Sequence, residues 1–242
     1  YVAKQVPTDG YTILIHIGTD LALLPLISKE LRFDPLKELV PVIGLVEARY
    51  VLGSSSQLPW KTFNELVAHA KANPGKLNYG SNAPNNRLPM VAIIQDFGLD
   101  VVFVPYSGGA PYIQALAAGQ VQMGLISEVT ALGLGDRFRI LAVSGDRPVA
   151  TLPGIPTFAS LGYSQLRSNS YLLNVPLGTP KAAIDRLYGT ASRTLQQPEV
   201  KARFAKLQMD IIDETPEVVA KRLAELGRYF ADIAKRAGIQ PE

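Results

Sequence analysis

The chain of 242 residues has no cysteine, two histidines and one tryptophan. Without cysteine there is no disulfide scaffold, no thiolate zinc site and no cysteine nucleophile, and the redox compartment stays open. His16 and His69 lack H-E-x-x-H or any comparable spacing, so a converging metal site is not expected. No apolar run approaches the ~20 residues that span a bilayer. Charge of one sign is scarce too: 24 Lys+Arg against 21 Asp+Glu leave +3. The basic residues are scattered among acids, with no phosphate-tracking stripe, so nucleic acid is not an expected partner.

Catalytic signatures are equally missing. There is no G-x-S-x-G elbow around Gly53-Ser54-Ser55-Ser56 or Gly80-Ser81, and no G-x-x-x-x-G-K-[ST]. Gly133-Leu134-Gly135 runs on to Phe138 where a third small residue is required, so a dinucleotide fingerprint fails. Nothing in the sequence points to an enzyme or to a cofactor.

What is present is a folded composition, 47% hydrophobic and 19% charged, enough for one large domain or two smaller ones. Residues 1–6 read as the last turns of a helix stopped at Pro7, with no initiator Met and no signal h-region. The chain is therefore expected to begin inside a longer protein. Tyr11–Ile17 reads as a buried strand, Gly18-Thr19-Asp20 as a loop opening a helix, and Asp34-Pro35 as the start of a helical turn. Pro41–Gly53 is one long extended stretch.

Helices are then expected at Thr62–Ala72, Arg87–Phe97 and Ala110–Ala118. Strands are expected at Leu77–Gly80, Val101–Val104, Val121–Ile126 and Arg139–Val143. This alternation indicates parallel βαβ units. Ser168–Val175 returns extended, and everything after Pro180 reads as helix. The expected layout is a doubly wound α/β lobe at 53–168 and a second lobe from 1–52 and 169–242. A cleft and a two-strand hinge would separate them. Trp60, after Pro59, is expected to pack as a staple at the next helix.

In an open α/β sheet, ligands bind beyond the carboxyl ends of strands, where helices present free N–H groups. The loops there share a composition: Gly18-Thr19-Asp20, Ser81-Asn82-Ala83-Pro84-Asn85-Asn86-Arg87, Tyr106-Ser107-Gly108-Gly109 and Ser127-Glu128-Val129-Thr130. Such neutral donors suit a carboxylate, although Ser and Asn also serve simply as N-caps. Arg87 could fork onto a carboxylate of the ligand or face solvent beside an acid. Tyr106 and Tyr171 suit either a cleft lining or core packing.

The sequence also resembles a known family. Pro7-Thr8-Asp9-Gly10-Tyr11-Thr12 is similar to the P-D-G-Y-T signature of the Bug-type solute receptors of tripartite tricarboxylate transporters. Pro74-Gly75-Lys76-Leu77-Asn78-Tyr79, Val104-Pro105-Tyr106-x-Gly108, Ala117-Ala118-Gly119-Gln120-Val121, Leu152-Pro153-Gly154-Ile155-Pro156-Thr157 and the end Ala237-Gly238-Ile239-Gln240-Pro241-Glu242 follow in order. The resemblance implies a type II periplasmic binding-protein fold, with two lobes closing on a small mono-, di- or tricarboxylate. It implies a periplasmic location and delivery to membrane transporter subunits. It also implies upstream pieces of the first lobe that are not in this sequence.

Carried over by position, the ligand contacts fall on Thr19, Ser81, Asn82, Tyr106, Ser107, Gly108 and Ser127, beside Asn86, Arg87 and Tyr171 from the loop reading. The chain has Asn82-Ala83-Pro84-Asn85-Asn86 where the family has A-G-N-G-T, and Ser127 where Asn or Asp is usual. Ser170 stands where a tryptophan is common. The rival function on the same fold is the effector-sensing domain of a transcriptional regulator.

Overall fold

The computed structural model describes residues 2, 4–163, 166 and 168–240. It divides into two units, one of Tyr1–Ala48 with Asn169–Glu242 and one of Arg49–Ser168. Residues 4–6 form turn and bends rather than the end of a helix, a correction to the sequence reading; Tyr1 and Ala3 lie outside the described residues. Of the terminal motif, Pro241 and Glu242 also lie outside them.

The first unit opens with β1 (Leu14–Ile17), α1 (Gly18–Ile27), α2 (Pro35–Glu38) and β2 (Leu39–Ala48). Asp34 caps α2 by accepting from the Leu36 N–H at 3.1 Å. Beyond Ala48 the chain enters the second unit as β3 (Tyr50–Ser55), so the stretch expected to be one extended segment is two strands of different sheets. That unit continues through α3 (Phe63–Ala72), β4 (Leu77–Ser81), α4 (Pro84–Asp96), β5 (Val101–Pro105), α5 (Gly109–Ala117), β6 (Gly124–Ser127), α6 (Glu128–Leu134) and β7 (Phe138–Val143). The chain then re-enters the first unit with β8 (Asn169–Pro176), α7 (Lys181–Leu195), α8 (Pro198–Lys206), β9 (Met209–Glu214) and α9 (Pro216–Arg236).

The first unit's sheet runs in the order β1-β8-β2-β9, every pair antiparallel. Alternation along β8 sends Leu172 to one face, with Leu21, Val219 and Leu223 of α1 and α9. Leu173 and Val175 go to the other, with Ile184, Leu187 and Phe204 of α7 and α8. Strand β9 corrects the expectation that the end of the chain is all helix. Gln208, at φ +54°, turns the chain out of α8, and Ile211 and Ile212 then carry it extended beside β2.

In the second unit β4 and β5 are parallel, whereas β3 pairs antiparallel with both β6 and β7. Parallel βαβ units were the expectation here. Strands β6, β3 and β7 form one antiparallel sheet and β4 and β5 a separate parallel pair, and β3 can run antiparallel because it enters from the other unit and not through a crossover helix. Gly80 faces Tyr112 of α5, so the neighbouring residues Tyr79 and Phe103 face the opposite side, where Arg87 of α4 meets Phe103. Helices therefore cover both faces. Val51, Tyr112, Leu116, Val121 and Val143 form the core. Trp60 is buried as expected, donating its indole N–H to Ser54 Oγ at 2.9 Å and packing on His69. Among the described residues no helix is long and apolar enough to cross a membrane.

Candidate functional site

Parallel strands in register deliver their following loops to the same sheet edge. Ser81, the last residue of β4, pairs with Pro105, the last residue of β5. The Tyr106 N–H then donates to the Ser81 carbonyl at 2.9 Å, which ties the two loops together at their roots. Ser81 and Asn86 are both buried and hydrogen-bond each other through their side chains. Asn86 Oδ1 accepts from the Ala83 N–H at 3.3 Å, and its Nδ2 donates to Asn82 Oδ1 at 3.0 Å. Ala83 has no side-chain acceptor with which to cap α4, so Asn86 reaches back to hold the turn. Ser81 and Asn86 thus build the loop, while Asn82 Nδ2 lies 3.9 Å from where a Cβ on Gly109 would stand.

Gly109 is the first residue of α5, and its N-cap, Gly108, is extended and has no side chain to offer. The leading N–H groups of a helix lack intrahelical acceptors and carry the positive end of its dipole. The start of α5 is therefore a donor set beside a carboxamide. Ser107 is exposed and Tyr106 half-buried, its ring 5.7 Å from Tyr112. Tyr112 donates its hydroxyl to the Leu125 carbonyl at 3.0 Å, and burial pushes that hydroxyl far above its ordinary pKa, so it stays protonated.

Ser127 pairs with Tyr50 across β3 and β6, and Tyr50 donates its hydroxyl to the Asn85 carbonyl at 2.9 Å. One tyrosine thus links the Ser127 strand end to the first turn of α4. Ser127 Oγ accepts from the Thr130 N–H at 3.2 Å, the N-capping role that the loop composition allowed. Tyr50, Arg49 and Glu128 take part in this geometry and were not selected from the sequence. The only local signal was a charged pair, Glu47 and Arg49, inside an otherwise apolar extended run.

Arg87 sits inside the first turn of α4, its guanidinium 4.5 Å from the Phe103 ring centroid and close enough to the Tyr79 hydroxyl to act on its charge. Burial raises the pKa of that hydroxyl, and the adjacent guanidinium pulls it part of the way back. Two aromatic side chains from β4 and β5 thus hold the guanidinium in place.

Thr19 and Tyr171 lie in the first unit. Thr19 is buried in the first turn of α1, and Tyr171 pairs with Ile17 and Val46. A Cβ on Gly18 would lie 2.8 Å from Leu172 Cδ1 and 2.9 Å from Ser170 Oγ, so glycine lets α1 begin directly on β8. Burial raises the pKa of Asp20 in that turn, with His16 partly offsetting the shift. A raised carboxyl pKa means that the fold favours the protonated form, so its contribution is complete below the unfolded value of about 4 and declines as pH rises through the folded pKa. Asp20→Asn should therefore gain unfolding free energy relative to the parent between pH 3.5 and pH 7. Urea titrations at the two pH values check this, and a gain that shrinks toward neutrality contradicts it.

The second unit also carries a groove of about 830 Å³ lined by Ser56, Gln57, Ile113, Gln114, Leu134 and Arg137 among others. It runs along α5 and contains none of the residues nominated from the sequence. Among the described residues no group of three or more His, Asp or Glu is placed to hold a metal.

The model of the tripartite tricarboxylate transporter family receptor (TctC) matches residues 1–238. The chain belongs to this receptor family. A UPF0065 protein from the gbd 5' region of Cupriavidus necator is 28% identical over 239 residues, covering 98% of this chain and 72% of that protein. The solved structure of an R. palustris protein with adipate aligns at a TM-score of 0.84 with 26% identity, covering 100% of this chain and 82% of that one. The periplasmic binding protein BugD shares the fold at a TM-score of 0.80 and 22% identity, with 100% and 82% covered. The fold is that of the periplasmic binding proteins, and the TctC family consists of solute receptors rather than enzymes.

Proposed function

We propose that this chain is a periplasmic receptor that binds a small organic acid and delivers it to the membrane components of a tripartite tricarboxylate transporter. The observation that supports this most directly is the uncapped start of α5 at Gly108 and Gly109, with Asn82 Nδ2 set beside it. Backbone N–H groups and a neutral amide replace a carboxylate's hydration without burying a full counter-charge. Ser107, Tyr106 and Ser127 complete the contacts from this unit. The adipate held by the R. palustris relative points to a dicarboxylate as the first ligand to try.

Arg87 reads the second acid group in this proposal, its guanidinium held ready on Phe103. Arg87→Ala should weaken a dicarboxylate by about 1.5–3 kcal/mol, the range of a charge-assisted hydrogen bond, and leave a monocarboxylate unaffected. Equal losses for adipate and hexanoate reject the clamp.

Calorimetric titration of the protein with adipate, malate, citrate and hexanoate, with a neutral sugar as control, tests the function. Saturable binding of at least one acid and none of the sugar is expected. A folded sample that binds no acid overturns the proposal.

A further inference from the structure

Glu128 begins α6 directly after Ser127, yet only 1% of its side chain is exposed. Three contacts hold it. Its N–H donates to the Arg49 carbonyl at 3.0 Å, its Oε2 accepts from Arg49 Nη1 at 3.0 Å, and its Oε1 accepts from the Thr151 hydroxyl. Arg49 therefore grips the same residue through its main chain and its side chain. It is also the first residue of the second unit and precedes Tyr50. Tyr50 donates its N–H to Ser144 Oγ at 2.9 Å, and Ser144 Oγ lies 3.1 Å from Ser168 Oγ, the last residue of that unit. The points where the chain enters and leaves the unit are thus tied together, and the Arg49–Glu128 pair carries that tie to Ser127.

Stability alone is a poor reason for this arrangement. Desolvating two charges costs about as much as their attraction returns, and apolar pairs often replace buried ion pairs without loss. What an apolar pair cannot supply is a fixed orientation of the turn. We propose that Glu128 is a positioning residue for the ligand contact at Ser127, acting through Arg49 and Thr151; this rests on the receptor reading above. Removing the carboxylate leaves Ser127 in sequence but frees the turn that aims its hydroxyl.

The test compares the parent protein with Glu128→Gln and with the double variant Arg49→Met/Glu128→Met. It measures melting temperature, adipate affinity and hydrogen exchange at the Thr130 amide. Glu128→Gln should weaken adipate about tenfold and speed Thr130 exchange by a similar factor. The double variant removes both charges and should recover the parent's melting temperature while keeping the weak affinity and fast exchange. Affinity and exchange that recover together with melting temperature would reduce Glu128 to a structural residue. Parent-like exchange and affinity in both variants would also overturn the proposal. If the parent binds no acid, the receptor reading fails, and the Thr130 exchange alone still decides whether Glu128 holds the turn.

Discussion

Asn82→Asp is expected to weaken organic-acid binding about 30-fold while leaving the protein as stable as its parent. The side chain keeps its acceptor for Asn86 Nδ2, and a negative charge near the start of α4 is favourable to the helix. Toward a bound carboxylate the change is severe. Two like charges about 4 Å apart repel by about 4 kcal/mol at an effective dielectric of 20. Halving this for a half-exposed site still lowers affinity about 30-fold. Asn82→Ala, which only deletes a donor, should cost about 1 kcal/mol. Titration calorimetry beside thermal unfolding separates the two variants. Equal affinity losses for Asp and Ala would show that no anion is bound near this side chain.

The largest stability effect is expected at Gly53 in β3. A Cβ there would lie 2.4 Å from the Arg139 carbonyl oxygen and 2.4 Å from Phe138 Cζ. The first obstacle is backbone in a paired strand, so the strain cannot be relieved by rotating a side chain. Gly53→Ala should destabilise the second unit by about 3 kcal/mol, the upper end of overpacking costs. Gly133 in α6 is the matched control, because a Cβ there meets nothing within 4 Å. Gly133→Ala should stabilise the protein by up to about 1 kcal/mol through helix propensity. Urea unfolding gives both values, and a Gly53→Ala penalty below 1 kcal/mol contradicts the packing at this strand.

Much of this architecture was legible in the sequence because its signals are local. Hydrophobic periodicity marks Phe63, Leu66 and Ala70 as one helix face, and all three are buried in α3. Thr62, which accepts from the Glu65 N–H, marks where that helix starts. Strand pairing is not local, so the antiparallel run of β3 against β6 and β7 could not be read from alternation along either strand. Strand β9 escaped because Asp210, Asp213 and Glu214 dilute its apolar pattern and the turn at Gln208 carries no glycine.

At the candidate site, composition alone selected the loops that follow β4, β5 and β6. The division of labour inside them depends on atoms brought together by folding. Ser81 and Asn86 hold a turn, and Asn82 reaches toward Gly109. Arg87 was read as meeting either a ligand or solvent, since the Phe103 ring it stacks on comes from a strand 16 residues later in the chain. Glu128 passed as one more polar loop residue, because nothing near it in sequence announces Arg49 or Thr151 as partners.

The N–H groups at the start of α5 carry the proposed carboxylate binding most directly. Titrating the ¹⁵N-labelled protein with adipate and following its amide resonances reads them one by one. The amides of Gly108, Gly109 and Ala110 are expected to shift together and saturate with a single dissociation constant. Saturable adipate binding that leaves those three amides unmoved would contradict the account.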